Sequence, residues 1–161
     1  MQSAAGKYSR GMTLMELMIV VVIASILVSI AVPSYVSQVR RGRRVEAKTA
    51  LLDLAGREER YFSTSATGAN YSQTAGDLGY NALPVVLPSG YYRLIVCAVG
   101  PGMAGACPPS NQTAPAFAIT AVPLGTQTGD TQCASFAVDN TGKQWATDSG
   151  GNDNTPYCWG N

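Results

Sequence analysis

The sequence contains no histidine, and its 161 residues include only 13% charged side chains, with a net charge of +1 at pH 7. The missing imidazole excludes Ser-His and Cys-His nucleophile pairs, His-ligated zinc and the commonest general base. The small net charge argues against a general nucleic-acid binder. No pair of carboxylates lies on a common apolar framework. We therefore expect neither an enzyme nor a bound cofactor or metal.

No C-x-x-C spacing occurs among the four cysteines, which all lie in the C-terminal half of the chain. This spacing, with no imidazole in the chain, disfavours a zinc site. An even number of cysteines in a small exported domain predicts a disulfide framework instead. Four cysteines allow three connectivities, and their number does not choose among them. They are Cys97, Cys107, Cys133 and Cys158.

One long apolar run, from Met12 to Val32, follows a short polar and basic segment that ends at Gly11. As a helix it would span about 31 Å, enough for a bilayer hydrocarbon core of about 30 Å. Glu16 is the one carboxylate in the run, and an ionisable group in a membrane span usually has a partner or a task. The alternative is that Glu16 lies near the interface and reaches water.

The segment before the apolar run differs from a Sec-type signal peptide. A Sec-type signal has an apolar region of only about 7–15 residues and is cut after it. Here the small residue, Gly11, precedes the run. The expected cut therefore lies between Gly11 and Met12. It removes the leader, residues 1–11, and leaves the apolar helix on the mature chain.

The stretch from Gly11 to Tyr35, GMTLMELMIVVVIASILVSIAVPSY, resembles the N-terminus of type IV pilins and related prepilins. In that family a prepilin peptidase cuts after the glycine and methylates the new N-terminus, which here is Met12. The family's glutamate, here Glu16, pairs with the terminal amine of a neighbouring subunit. A buried carboxylate and a buried ammonium attract each other strongly, whereas either alone is costly. The resemblance thus implies that assembly depends on processing.

The periodicity after the run predicts one long helix over residues 13–62. Pro33 lies inside it, and an internal proline removes an amide donor and kinks or breaks a helix. Apolar residues nevertheless continue at intervals of three and four. We expect a bend near Pro33 and a loosening at Gly42, with an assembly half at 12–35 and an amphipathic half at 36–62. The apolar stripe consists of Val36, Val39, Ala47, Ala50, Leu51, Leu54, Tyr61 and Phe62.

Four arginines after the span give conflicting evidence on topology. Positive residues favour the cytoplasmic side of a span, so charge alone would place the following domain in the cytoplasm. The cysteines favour the opposite orientation, because disulfides persist in the periplasm and not in the cytosol. We therefore expect a periplasmic C-terminal domain. The arginines are Arg40, Arg41, Arg43 and Arg44.

The same arginines form the densest charge cluster of the chain. They are either a solvated helix face or a contact for lipid headgroups or acidic faces of adjacent subunits. No aromatic residues are interleaved with them, so they indicate DNA binding only weakly. No dedicated nucleic-acid site is evident from the sequence.

The last part of the chain, 63–161, predicts a globular loop-and-sheet region. Residues 63–89 are rich in turn formers and predict a surface loop that packs Tyr71, Leu78 and Tyr80. Short strands are predicted after this loop, the last two joined by a hairpin. They lie at 91–99, 117–123, 134–139 and 143–147.

One amphipathic helix and one sheet can share a core. The expected fold class is therefore α+β. It is the type IV pilin fold, with the long N-terminal helix packed on a three- or four-stranded antiparallel sheet. Since a cysteine pair closes the C-terminal loop of pilins, the resemblance also implies the pairs Cys133–Cys158 and Cys97–Cys107.

Two weaker patterns lie in glycine-rich loops. The glycines of GPGMAG at 100–105 match a dinucleotide-binding spacing, but Pro101 removes an amide from the cradle and no helix start follows. Asp148, Asn152, Asp153 and Asn154 offer oxygen atoms to calcium without the usual spacing, which favours a plain surface loop.

The resemblance implies a structural subunit of a type IV pilus, most like a minor pilin, that serves adhesion, twitching motility or DNA uptake. Its expected partners are prepilin peptidase, other pilin subunits and the inner-membrane assembly machinery. We expect an inner-membrane precursor and then an extracellular pilus. Three alternatives remain. They are a pseudopilin of a type II secretion system, an adhesin or DNA-receptor pilin at the filament tip, and an ordinary single-span membrane protein with a disulfide-bonded ectodomain.

Overall fold

The computed structural model describes residues 12–65, 70–99 and 116–160. It begins with the helix α1, Leu14–Thr64, which is followed by the strands of one sheet. The chain divides into two compact units, of which the first ends at Val39 and the second begins at Arg40.

Helix α1 has 51 residues and continues without interruption through Pro33 and Gly42. It starts after Thr13, whose Oγ1 accepts the backbone N–H of Glu16 at 3.1 Å. This side-chain cap satisfies one of the amides that have no partner at a helix start. The predicted long helix is confirmed, while the bend at Pro33 and the loosening at Gly42 stay predictions.

In the first unit, α1 exposes apolar side chains on all sides. The large apolar residues from Met12 to Tyr35 are 52–79% exposed. The most apolar 18-residue window has a mean hydropathy of 2.7 and contains no buried residue. By length and composition, this helix is suited to cross a membrane. A helix that is apolar all round requires lipid or other helices around it.

The second unit contains an antiparallel sheet whose strand order follows the chain, from β1 to β5. Its longest ladder joins β2 to β3, from the Tyr92 and Pro123 pair to the Val99 and Ala116 pair. The strands are Val85–Val86 (β1), Tyr92–Val99 (β2), Ala116–Pro123 (β3), Ser135–Asp139 (β4) and Gln144–Thr147 (β5).

The hairpin between β4 and β5 has the turn chemistry that its sequence predicts. The backbone N–H of Gly142 donates to the carbonyl of Asp139 at 3.0 Å. The backbone N–H of Thr141 donates to the Asp139 carboxylate at 2.9 Å. Gly142 has a φ of 77°, a left-handed conformation that glycine adopts without the steric cost of a Cβ atom.

Within the described ranges the sheet has five strands, one more than the three or four that the sequence predicts. The additional strand is β1, which pairs Val85 with Leu94 and Val86 with Arg93. It lies in the stretch predicted as a loop, between Pro84 and Pro88. Two residues are too few to show a period, so only the partner strand reveals the pairing.

The second-unit part of α1 packs on this sheet. Ala47, Leu51 and Leu54 are completely buried, and their spacing of four and three places them on one helix face. They share a core cluster with residues of the sheet that include Tyr92 and Phe136. Burying side chains of the size of leucine contributes about 1.5–3 kcal/mol each. The central part of the predicted stripe is thereby confirmed.

The loop after α1 packs the three side chains that the sequence predicts. Leu78 is buried in the core cluster, and Tyr71 and Tyr80 are partly buried against it. The Tyr71 ring stacks on Phe62 at 4.7 Å and meets the Phe117 ring edge-on at 4.8 Å. These contacts attach the loop to both the helix and the sheet.

Glu58 is a buried carboxylate that the apolar stripe does not predict. It lies one turn after Leu54 and is 0% exposed. Its Oε2 accepts the backbone N–H of Ser72 at 3.0 Å, whereas Oε1 has no partner among the described residues. Burial raises the pKa of Glu58 to about 7, helped by the charges of Glu59 and Asp77 and opposed by the Ser72 hydrogen bond.

We expect the free energy of unfolding to decrease as the pH rises from about 4.5 to about 7. The folded state holds the Glu58 proton more tightly than the unfolded state, whose pKa is near the ordinary 4.5. The resulting stabilisation is complete below the unfolded pKa and is lost as the pH passes the folded pKa. The slope is at most about 1.4 kcal/mol per pH unit. Urea unfolding of the full chain in detergent across this range measures it.

Glu58→Gln removes the titration and keeps an acceptor for Ser72, so this variant is expected to show a flatter pH dependence. Glu46→Gln, on the same helix but not among the charges that shift the pKa of Glu58, is the control and should keep the wild-type slope. Equal slopes for Glu58→Gln and the wild type would contradict the assignment.

Candidate functional site

Five cations lie on the first turns of α1 in the second unit, with one carboxylate, Glu46, among them. Residues four apart on a helix lie on the same side. The side that carries Arg44 and Lys48 faces the 3-10 turn, Gly125–Gly129, and the C-terminal turn, Pro156–Gly160. The cations are Arg40, Arg41, Arg43, Arg44 and Lys48.

Arg44 is the structural member of this group. Its Nε and Nη2 donate to Oδ2 and Oδ1 of Asp130, both at 2.6 Å. The two side chains are only 11% and 3% exposed, and the hydrogen bond with Asp130 raises the pKa of Arg44. Gln127 donates to the Asp130 carboxylate and to the Tyr92 hydroxyl, both at 3.1 Å. Such a buried, bonded pair fixes the turn against the helix and presents little net charge to a ligand.

Arg43 is held differently, by an aromatic ring. Its Cζ lies 3.4 Å from the centre of the Tyr91 ring, and its Nη1 donates to Thr126 Oγ1 at 3.1 Å. A cation over an aromatic face is attracted by the ring quadrupole. The guanidinium is therefore positioned without a carboxylate and keeps its full charge.

Arg41 and Lys48 line a cleft of about 340 Å³ between α1 and the C-terminal turn. Tyr157 also lines this cleft and is 51% exposed. Lys48 Nζ lies 5.6 Å from the centre of the Trp159 ring, and burial together with the charge of Arg44 lowers the pKa of Lys48. Among the described residues, ion pairs join only Arg44 to Asp130 and Arg57 to Asp53. The charges of Arg41 and Lys48 are thus uncompensated there.

Arg41, Lys48 and Tyr157 line the cleft, and Arg43 with Tyr91 lies beside the same turns of α1. We call these five residues together the basic-aromatic face. Its cations attract phosphate groups, and neutralising phosphates drives much of the binding to nucleic acids. The exposed Tyr157 ring offers a flat apolar surface on which a base can stack. A polymer that carries both phosphates and planar bases is the ligand class that matches this chemistry.

The residues for which the sequence predicts an assembly role lie in the first unit, at the N-terminal end of α1. Glu16 is in the first helical turn, where the positive end of the helix dipole favours a carboxylate. Its side chain is exposed. Met12, one turn earlier in sequence, is also exposed. The described residues therefore leave both groups accessible to a neighbouring molecule.

Among the described residues, the structure contains the implied disulfide between Cys133 and Cys158. Cys97 lies on β2. Cys107, like the leader residue Gly11 and the glycines of GPGMAG, lies outside the described residues, so the Cys97–Cys107 pair stays a prediction. In the loop considered for calcium, Oδ1 of Asp148 accepts the backbone N–H groups of Gly150 and Asn152.

Sequence reasoning missed the aromatic part of the site. The arginine cluster has no aromatic neighbours along the chain, but the fold brings Tyr91 from the start of β2 and Tyr157 from the C-terminal turn. Arg43 and Arg44 each approach one of these rings. No local signal reveals such pairs, because they depend on how the turns pack against the helix.

Comparisons with known proteins agree with these observations. Residues 33–137 match the family model described as type IV minor pilin ComP, DNA uptake sequence receptor. Residues 6–32 match the prokaryotic N-terminal methylation motif. A segment of 72 residues is 40% identical to the type IV major pilin protein PilA of Myxococcus xanthus (strain DK1622). That alignment covers 45% of this chain and 31% of the relative, so the chain spans about a third of the relative's length.

Proposed function

Because the chain belongs to the family described as type IV minor pilin ComP, DNA uptake sequence receptor, we propose that its basic-aromatic face binds DNA at the pilus. The protein is a minor subunit of the type IV pilus, and pilins are structural proteins. The activity proposed for this face is therefore binding without chemical change.

The observation that supports DNA binding is the pair of uncompensated cations, Arg41 and Lys48, beside the exposed Tyr157 ring. Cations that are already paired release few counterions from DNA and add little affinity. Arg44, which Asp130 neutralises, is such a cation. The unpaired cations supply phosphate contacts, and the Tyr157 ring supplies a stacking surface.

The proposal includes the processing steps that the sequence predicts. Prepilin peptidase cuts between Gly11 and Met12 and methylates the Met12 amine, and Glu16 then pairs with the terminal amine of a neighbouring subunit. The match to the N-terminal methylation motif supports this route. In this proposal Pro33 bends the helix. The partners of the subunit are other pilin subunits and the inner-membrane assembly machinery. The precursor spans the inner membrane with its C-terminal domain in the periplasm before it enters the extracellular pilus.

Arg41→Ala combined with Lys48→Ala is expected to weaken DNA binding about 100-fold at 0.1 M salt, about tenfold for each lost phosphate contact. The slope of log K against log salt should become shallower by about 2. Fluorescence anisotropy with a labelled duplex, using full-length mature protein in detergent, measures both quantities.

The matched control is Arg60→Ala, which removes an exposed arginine from a later part of the same helix. It should keep nearly the wild-type affinity and salt slope. If the double variant also kept both, the basic-aromatic face would not be the DNA site.

A further inference from the structure

One member of the basic-aromatic face, Arg43, is held in a fixed orientation. The Tyr91 ring lies under its guanidinium at 3.4 Å, and Thr126 Oγ1 accepts its Nη1 hydrogen at 3.1 Å. Within the described residues, its Nε and Nη2 have no acceptor. By contrast, Arg41 is exposed and makes no such contact there. The two arginines carry the same charge but differ in their freedom to move.

The two residues that hold Arg43 are themselves attached to buried anchors. Tyr91 precedes Tyr92, and Thr126 precedes Gln127; both anchors are 0% exposed. Gln127 Nε2 donates to the Tyr92 hydroxyl at 3.1 Å, which joins the two anchors. The backbone N–H of Leu124 also donates to the carbonyl of Tyr91 at 2.8 Å. The two residues that hold Arg43 are therefore fixed in place by buried neighbours in the core.

A fixed, planar guanidinium can present its N–H groups to a ligand in one orientation, which a mobile guanidinium does poorly. Stacking on a ring uses the face of the guanidinium and leaves N–H groups at its edge for a ligand. Two parallel N–H donors match the O6 and N7 acceptors of guanine in the major groove, the commonest specific contact of arginine with DNA. Phosphate contacts require only charge and carry no sequence information.

We propose that Arg43 is a specificity-determining residue that reads a guanine edge, while Arg41 and Lys48 hold the phosphate backbone. This inference rests on the proposed DNA-binding function. It assigns different tasks to cations that are close together on one helix. Tyr91 is a positioning residue, because it acts on the DNA only through Arg43.

The test is a selection from a library of random-sequence duplexes with full-length mature protein in detergent, followed by sequencing of the bound fraction. The wild type should enrich a motif that contains guanine. Arg43→Lys keeps the charge but loses the planar fork, so it should lose about 5- to 150-fold in discrimination at one guanine position. Its salt slope should stay unchanged. Arg41→Lys is the matched control and should keep the wild-type motif.

A second pair of variants tests the ring without changing any charge. Tyr91→Phe keeps the platform and should keep the motif, whereas Tyr91→Leu should relax the same guanine position as Arg43→Lys. Thermal unfolding of each variant verifies that it is folded at the assay temperature.

The outcomes separate this inference from the function on which it rests. If the wild type binds duplex DNA but enriches no motif, or if Arg43→Lys keeps the wild-type motif, the role of Arg43 is overturned and DNA binding stands. If the wild type binds no DNA, both proposals fail.

Discussion

Replacing Gly11 by valine is expected to leave the full-length precursor in the membrane and to exclude the subunit from pili. In the proposed route the cut after Gly11 creates the amine at Met12, and only a cut chain offers this amine to a glutamate of a neighbouring subunit. Breaking a buried ion pair by removing one partner costs about 3–5 kcal/mol, because the remaining charge is left uncompensated. Intact mass and N-terminal sequencing of membrane-extracted protein should show residues 1–11 retained and Met12 unmethylated.

Two further variants separate cutting from assembly. Gly6→Val changes the other glycine of the leader and should be processed normally. Glu16→Gln should be cut and methylated but absent from sheared pili, because the amine of the neighbouring subunit then has no carboxylate with which to pair. Pili that contain uncut Gly11→Val protein would refute the dependence of assembly on processing.

The double variant Cys133→Ser and Cys158→Ser is expected to lose about 3.5 kcal/mol of its free energy of unfolding. The disulfide joins residues 25 positions apart, and closing a loop of that length restricts the unfolded chain by about this amount in the chain-entropy model. Cys133 and Cys158 are 0% and 2% exposed, so two serine hydroxyls are also buried in their place. Such a loss is large beside the total stability of about 5–15 kcal/mol that is usual for domains.

Urea unfolding followed by tryptophan fluorescence measures this loss. Trp159 adjoins Cys158, its ring centre lies 6.0 Å from that of Phe136 and its Nε1 donates to the carbonyl of Trp145 at 3.0 Å. Its emission therefore reports on the C-terminal turn. Reductant should lower the wild-type midpoint more than the variant's midpoint, because only the wild type has the Cys133–Cys158 bond to lose. A variant as stable as the oxidised wild type would show that this bond does not stabilise the fold.

The helix and four of the strands could be predicted because their signals are local. Apolar spacing identified the buried Ala47, Leu51 and Leu54, and alternation or turn residues bounded β2 to β5. β1 has no signal of its own, since its pairing depends on β2. Glu58 occupies a position of the apolar spacing but is itself a carboxylate, so a search for hydrophobic residues does not identify it.

The candidate site was predictable only in its cations. Charge density reveals Arg41 and Arg43 from the sequence, but not which arginine is neutralised and which is free. Asp130, which neutralises Arg44, and Tyr91, which supports Arg43, come from distant parts of the chain. Their positions follow from the packing of the sheet and its turns on α1. Sequence alone therefore indicates a basic cluster, and the fold assigns its members different chemistry.

The strand order, which is also the chain order, has a consequence for how the domain folds. Each strand pairs with the next one along the chain, so a hairpin can close as soon as its second strand is available. Contacts between segments close in sequence form faster than pairings between distant ones. None of the described strands waits for a partner from a distant part of the chain, which shortens the time for which unpaired strands are open to aggregation or proteolysis.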